Sequence, residues 1–328
     1  MSEELRNLKG RYEELLLGIK GVTGVGVNGS IIVYVESATP EIRQVVPKQI
    51  EGVSVRIVES KFKLMSLRIM DATYADRTMR FRPTVPGGVS VGHPKITAGT
   101  LTCRVLNRST GKVIGGLTNN HIAALNWGEL SEGKVGDSVL QPGPYDGGLD
   151  PVDKIGELLK YVPVKLDEDN LVDAAVFDSV ALKREVLEVG NPSNTVEPME
   201  GMKVVKSGRT SGITYGKIMD CNATLKIDGG EGWGECLFKD QIVIQPAILS
   251  PGDSGSWIGE VDTYNTVGLG FAGSETLSVA NKALKVEELL DVEIEPPTPR
   301  ISPALMGVSW LSVILGAGWG LTRGGRKA

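Results

Sequence analysis

The sequence predicts a mainly β fold, two antiparallel barrels of six strands each preceded by a small α+β domain, and three observations carry that prediction. Short apolar runs separated by turn residues recur in two successive sets, from Thr97 to Val180 and from Met202 to about Leu277. Glycine is abundant at 42 residues, with 17 prolines and only 5% aromatic residues, a mixture that suits short strands joined by tight turns. Residues 1–70 instead mix helical and alternating patterns, which sets them apart as a unit.

Taken in order, Leu5, Leu8, Tyr12, Leu15, Leu16 and Ile19 recur at helical spacing behind Ser2, a residue able to cap a helix over 2–19. Val22 to Val27 and Ser30 to Glu36 read as strands around an Asn28-Gly29 turn. Pro40 to Ile50 then reads as a helix and Val53 to Val58 as a third strand. Between Ala72 and Gly92, Arg77, Arg80, Arg82, Pro83, Pro86, Gly87 and Gly88 follow no period, so 71–92 is expected to be a linker. The first barrel is expected over 93–185, and the second, with a closing helix in LKVEELLDVE, over 186–292. A proline-rich linker at 293–303 and an apolar segment with a basic end at 304–328 complete the chain.

Lys plus Arg number 35 against 40 for Asp plus Glu, and the net charge of -5 offers no basic face for a phosphate backbone. Nucleic acid is therefore not an expected partner. The N-terminus alternates charge with leucine and lacks the apolar stretch of a secretory signal, which predicts a cytoplasmic protein. Residues 304–321 are uncharged and reach the lower edge of a membrane span, but glycine and serine interrupt them and Arg323, Arg326 and Lys327 follow. Membrane contact through 304–321 and packing on this or another copy, as in a homo-oligomer, both remain open.

Cys103, Cys221 and Cys236 are too few and too far apart for a disulfide framework or a metal knuckle, and are expected to be reduced and buried. With only two histidines no metal site and no cofactor is expected, and Asp228 to Glu235 reads as a surface hairpin rather than a calcium loop.

The chemistry points to Gly252-Asp253-Ser254-Gly255. Glycine lets the backbone turn tightly, raises the serine hydroxyl and aims backbone amides at a carbonyl oxygen as it becomes an oxyanion. Such a serine requires a base, usually a histidine held in one tautomer by a carboxylate. His121 lies where the run Leu117-Thr118-Asn119-Asn120 leads into small residues, while His93, in a Gly/Pro loop, reads as structural. Asp173 stands inside the apolar run Leu171 to Phe177, and a carboxylate buried there needs a donor such as an imidazole N–H. Asp167, Glu168 and Asp169 read as a solvated loop, and Asp178 as a strand end.

The order His121, Asp173, Ser254, in the settings TNNHIAA, VDAAVF and PGDSGSW, resembles the chymotrypsin-like serine peptidases. More narrowly, Gly87 to His93, Ala98 to Leu101, Gln141 to Gly148, Lys206 to Gly212 and Gly268 to Ser274 look like an intracellular trypsin-like group, bacterial with relatives in plants. The resemblance covers residues 20–290. It implies two six-stranded barrels with the active site between them, a protein or peptide substrate, and an acyl-enzyme mechanism. It also implies an oxyanion hole from the amides of Gly252 and Ser254, and a substrate channel lined by Gly270, Phe271, Ala272 and Gly273 up to Ser274. Ile248 stands where trypsin-like enzymes carry the acid that selects basic side chains, which implies an uncharged or small apolar P1 residue. The long stretch before the first barrel removes the usual partner of Asp253, a freed N-terminus, so Asp253 needs another donor or the site needs a trigger. Two readings follow: a serine endopeptidase regulated by its N-terminal domain or C-terminal segment, and a catalytically silent peptide-binding or scaffolding module.

Overall fold

The computed structural model describes residues 3–65 and 75–294, apart from Val180 and Glu231. The linker residues 71–74, most of the proline-rich segment and all of 304–328 lie outside the described residues. The fold is mainly β. Among the described residues most strands fall into an 11-stranded and a 6-stranded sheet.

At the N-terminus, the helix Glu3–Leu17 sets Leu8 and Leu16 against Val25, Val27, Ile31 and Val33 of the hairpin Val22–Val27 and Ile31–Val35. Val27 pairs with Ile31 around the turn, where Gly29 takes a positive φ. The second hairpin strand continues parallel to Val53–Glu59. The next helix is shorter than its sequence suggests: Thr39 caps it and Pro40 opens it, but it ends at Val45. Val46 precedes Pro47, and the residue before a proline is pushed out of the helical region. Gln49–Ile50 then turns back to pair with Val53 and Ser54.

Val22–Val27 also pairs antiparallel with Gly212–Asp228, Gly24 facing Leu225, so the N-terminal strands extend the larger sheet. A Cβ at Gly24 would lie 2.5 Å from the Leu225 side chain and 2.8 Å from the Thr224 carbonyl, so the VTGVGV strand needs glycine at that crossing. Lys9 crosses from the helix to the same sheet, donating to the Asn222 carbonyl at 2.8 Å and to Thr224 Oγ1 at 2.9 Å.

The smaller sheet runs Ser138–Leu140, Lys154–Tyr161, Ala175–Asp178, Val113–Thr118, Cys103–Asn107 and Val292–Ile294. Its last strand follows the helix Ala283–Leu290, so the end of the larger sheet's sequence closes onto the smaller sheet. One apolar cluster joins the two, with Cys103, Val105, Leu117, Val172 and Val176 from one side and Val205, Trp257, Leu269, Val286 and Leu290 from the other. Cys103, Cys221 and Cys236 are free and buried, and burial pushes the thiols of Cys221 and Cys236 up to about 12. Among the described residues no helix is long and apolar enough to cross a membrane.

Candidate active site

His121 sits on the short helix Asn120–Ala123, directly after the strand Val113–Thr118, and Asp173 lies just ahead of the adjacent strand Ala175–Asp178. Thr118 pairs with Ala175, which brings the two ends side by side. Both side chains are fully buried. His121 Nδ1 bonds Asp173 Oδ2, and the His121 backbone N–H donates to Asp173 Oδ1 at 3.1 Å. Asn119 Nδ2 holds the Asp173 carbonyl at 2.6 Å, and the Asp173 N–H donates to Asn281 Oδ1 at 3.1 Å. A carboxylate bonded at Nδ1 fixes the proton there and leaves Nε2 as the basic nitrogen. His121 Nε2 is buried and without a hydrogen-bond partner among the described residues.

Ser254 follows the tight turn on the opposite side. Its hydroxyl donates to the Phe271 carbonyl at 3.1 Å, and its own carbonyl accepts from Thr100 N–H at 2.7 Å. Thr102 Oγ1 donates to the Gly255 carbonyl at 2.6 Å and Thr118 Oγ1 to the Thr100 carbonyl at 2.8 Å, which stitches the turn to the strand leading to His121. Gly255 has a φ of 93°, and a Cβ there would run into the Thr100 carbonyl oxygen. An edge-on contact sets His121 against Trp127, and a run of rings passes from Trp127 through Phe238 to Phe271, the residue that holds the Ser254 hydroxyl. The structure thus brings His121 and Asp173 into direct contact, while no hydrogen bond joins Ser254 to His121.

Gly252, at a φ of 96°, donates its N–H to the carbonyl of Met65 at 2.6 Å. Gly270, Phe271, Ala272 and Gly273 lie on the fully buried strand Thr266–Gly273, whose edge pairs antiparallel with Lys63–Leu64. Ile248 is buried in an apolar cluster with Val204, Ile218, Ile244, Leu249 and, from the N-terminal segment, Met65. His93 bonds Asp137 at 3.2 Å and accepts from Lys95 N–H at 3.1 Å, a structural placement.

Asp253 has its donor. Lys206, fully buried on the strand Lys203–Gly208, gives Asp253 Oδ2 a 2.9 Å ion pair. The N–H groups of Thr210 and Ser211 donate to Oδ1 at 2.8 and 3.1 Å, and that of Ser250 to Oδ2 at 2.9 Å. Burial lowers the Lys206 pKa from the ordinary lysine value, and Asp253 pulls it back up. A buried lysine of the chain itself therefore supplies the donor that Asp253 needs. Beside it, Arg209 grips Asp146 through two nitrogens and lies 5.3 Å from the Tyr145 ring centroid, while its N–H bonds Thr100 Oγ1 at 3.0 Å.

Sequence reasoning noted the stretch around Lys206 only as part of a resemblance and missed its role. A lysine directly after the apolar pair Val204-Val205 is a signal that was available. Met65 gave none, because it lay inside what read as a separate domain.

No family model matches this chain, and no curated protein matches it. Solved structures do. The chain is similar to bacterial chymotrypsin-like serine proteases. The Nocardiopsis protease matches 64% of this chain and 98% of its own at 17% identity and a TM-score of 0.44. The chymotrypsin of Cellulomonas bogoriensis and protease A of Thermobifida fusca each match 64% of this chain and 97% of their own, at 15% identity and a TM-score of 0.43. Likeness of that depth assigns no activity to this chain.

Proposed function

We propose that this chain is a serine endopeptidase in which Ser254 attacks the scissile carbonyl, His121 takes and returns the proton, and Asp173 orients and stabilises the imidazolium. One observation carries the reading: a fully buried histidine whose Nδ1 is fixed on a buried carboxylate and whose Nε2 has no partner among the described residues. A structural histidine in a core satisfies both nitrogens, whereas a base keeps one for its substrate. The same proposal includes an acyl-enzyme on Ser254, stabilisation of the oxyanion by Gly252 and Ser254 amides, and a protein or peptide substrate running along Gly270 to Gly273. The division into an N-terminal α+β unit and two barrels belongs to it as well.

The attack requires the Ser254 hydroxyl to leave the Phe271 carbonyl for His121 Nε2. That bond favours a second reading, a silent module that holds peptides without cutting them. Labelling with a fluorophosphonate decides between them. The proposal expects a covalent adduct that Ser254→Ala abolishes and that His121→Ala slows by about a thousandfold or more. A folded chain that binds peptide yet never labels or turns it over supports the silent module.

A further inference from the structure

The peptide along Gly270 to Gly273 is the chain's own. Lys63 and Leu64 pair antiparallel with Gly273 and Ala272, Met65 N–H donates to the Phe271 carbonyl at 3.0 Å, and the Met65 carbonyl sits 2.6 Å from Gly252 N. An extended peptide adds to a sheet edge in this way, its main chain supplying the bonds and its side chains filling pockets. The apolar side chains of the run, Phe62, Leu64 and Met65, are buried, while Lys61 and Lys63 face outward. Phe62 and Leu64 enter the cluster that contains Trp127, Phe238 and Phe271, and Met65 enters the apolar cluster around Ile248. The Met65 methyl lies 2.8 Å from where a Cβ on Gly273 would stand, so the pocket is closed around it. Ser60 Oγ bonds Ser274 Oγ at 2.8 Å, extending the match upstream. Met65 is the one residue of the run whose carbonyl meets an amide of the nucleophile turn.

Resting on the reading of Ser254 as nucleophile, we propose that the chain is its own substrate and cuts itself between Met65 and Ser66. Ser254 Oγ bonds the Met65 carbonyl carbon as its proton passes to His121 Nε2, and the carbonyl electrons move onto the oxygen held by Gly252 N–H. Their return breaks the C–N bond, and His121 gives the proton to the departing Ser66 amine. One water then adds to the Met65 ester, passing a proton to His121 that returns to Ser254 Oγ as the ester bond breaks. The products are a Met65 carboxylate and a Ser66 amine, and one water is consumed. Because Val22–Val27 is paired into the larger sheet, the 1–65 piece stays bound after cleavage, with Met65 still filling the pocket until a substrate displaces it.

The test compares the purified full-length chain with Ser254→Ala and Met65→Asp by intact mass, sequencing of new N-termini and fluorophosphonate labelling. The wild type is expected to convert to two fragments that co-elute on gel filtration, the second beginning at Ser66, while Ser254→Ala stays whole. Met65→Asp puts a carboxylate into an apolar pocket, so it is expected to stay whole and to label roughly tenfold faster as the cleft opens. A wild type that stays whole or is cut at another bond, while it or Met65→Asp labels at Ser254, overturns self-cleavage and leaves the proteolytic reading standing. A whole wild type with no chain labelled overturns both. The wild-type and Ser254→Ala comparison decides the matter however well Met65→Asp folds.

Discussion

Replacing Lys206 with methionine asks what holds the Gly252 to Ser254 turn in shape. The lysine is fully buried, and its ammonium bonds Asp253 Oδ2 at 2.9 Å, the Gly212 carbonyl at 3.0 Å and the Ser211 hydroxyl. Methionine keeps most of the stem's volume and removes the charge. Losing one partner of a buried ion pair costs about 3–5 kcal/mol. Asp253 retains amide donors from Thr210, Ser211 and Ser250, which places the expected loss at the low end, about 3 kcal/mol. In a chain of 328 residues each kcal/mol lowers Tm by about 1.5 °C, so a fall of roughly 4–5 °C is expected by calorimetry or circular dichroism. Asp253 lies between Gly252 and Ser254, whose amides are proposed to hold the oxyanion, so fluorophosphonate labelling well below the new Tm is expected to slow by about a hundredfold. Adding Asp253→Asn removes the stranded charge and is expected to recover stability but not the labelling rate. An unchanged Tm together with an unchanged labelling rate would refute the assignment of Lys206 as the anchor of the turn.

Three further outcomes follow from the same geometry. Asp173→Asn presents an amide to His121 Nδ1 and favours the wrong tautomer, so labelling is expected to fall by about a thousandfold or more with little change in Tm; a rate near wild type would remove Asp173 from the account. Gly255→Ala forces a Cβ into the Thr100 carbonyl at a φ of 93°, and is expected to cost about 4 kcal/mol or more in denaturant melts, whereas a neutral result would contradict the packing described. Asp220, fully buried where the N-terminal hairpin meets the larger sheet, has its carboxyl pushed up to about 7 by burial, against the bonds from Asn222 and Val27. Because the folded pKa lies above the unfolded one, the folded state binds more protons between about pH 4 and 7, and stability falls as pH rises through that window. Asp220→Asn is expected to flatten that slope, worth about 4 kcal/mol at most, in melts across that range; an unchanged slope would show the carboxylate to be better solvated than its burial implies.

Much of this was legible in the sequence because local rules carried it. The N-terminal helix, the Asn28-Gly29 hairpin and the alternating runs of both halves have patterns that tertiary contacts reinforce rather than override. Asp173 could be singled out because a carboxylate within an apolar run needs a partner, and the structure supplies one in His121. The helix beginning at Pro40 stops at Val45, short of the Ile50 its pattern suggests, because Pro47 holds Val46 in an extended conformation. Other features depend on contacts far apart along the chain. Lys206 and Asp253 stand 47 positions apart, and Met65 and Gly252 are farther apart still. The pattern of residues 60–65 shows an extended segment at most, and which edge it joins is decided by pockets that lie some two hundred positions away. Nor does the serine motif reveal that its hydroxyl turns toward Phe271.

Peptide mapping of the fluorophosphonate adduct, run side by side on the wild type and on His121→Ala, tests the central claim most directly. The account predicts one modified residue, Ser254, formed at least about a thousandfold more slowly once the imidazole is gone. An adduct on another serine, or equal rates in the two proteins, would contradict it.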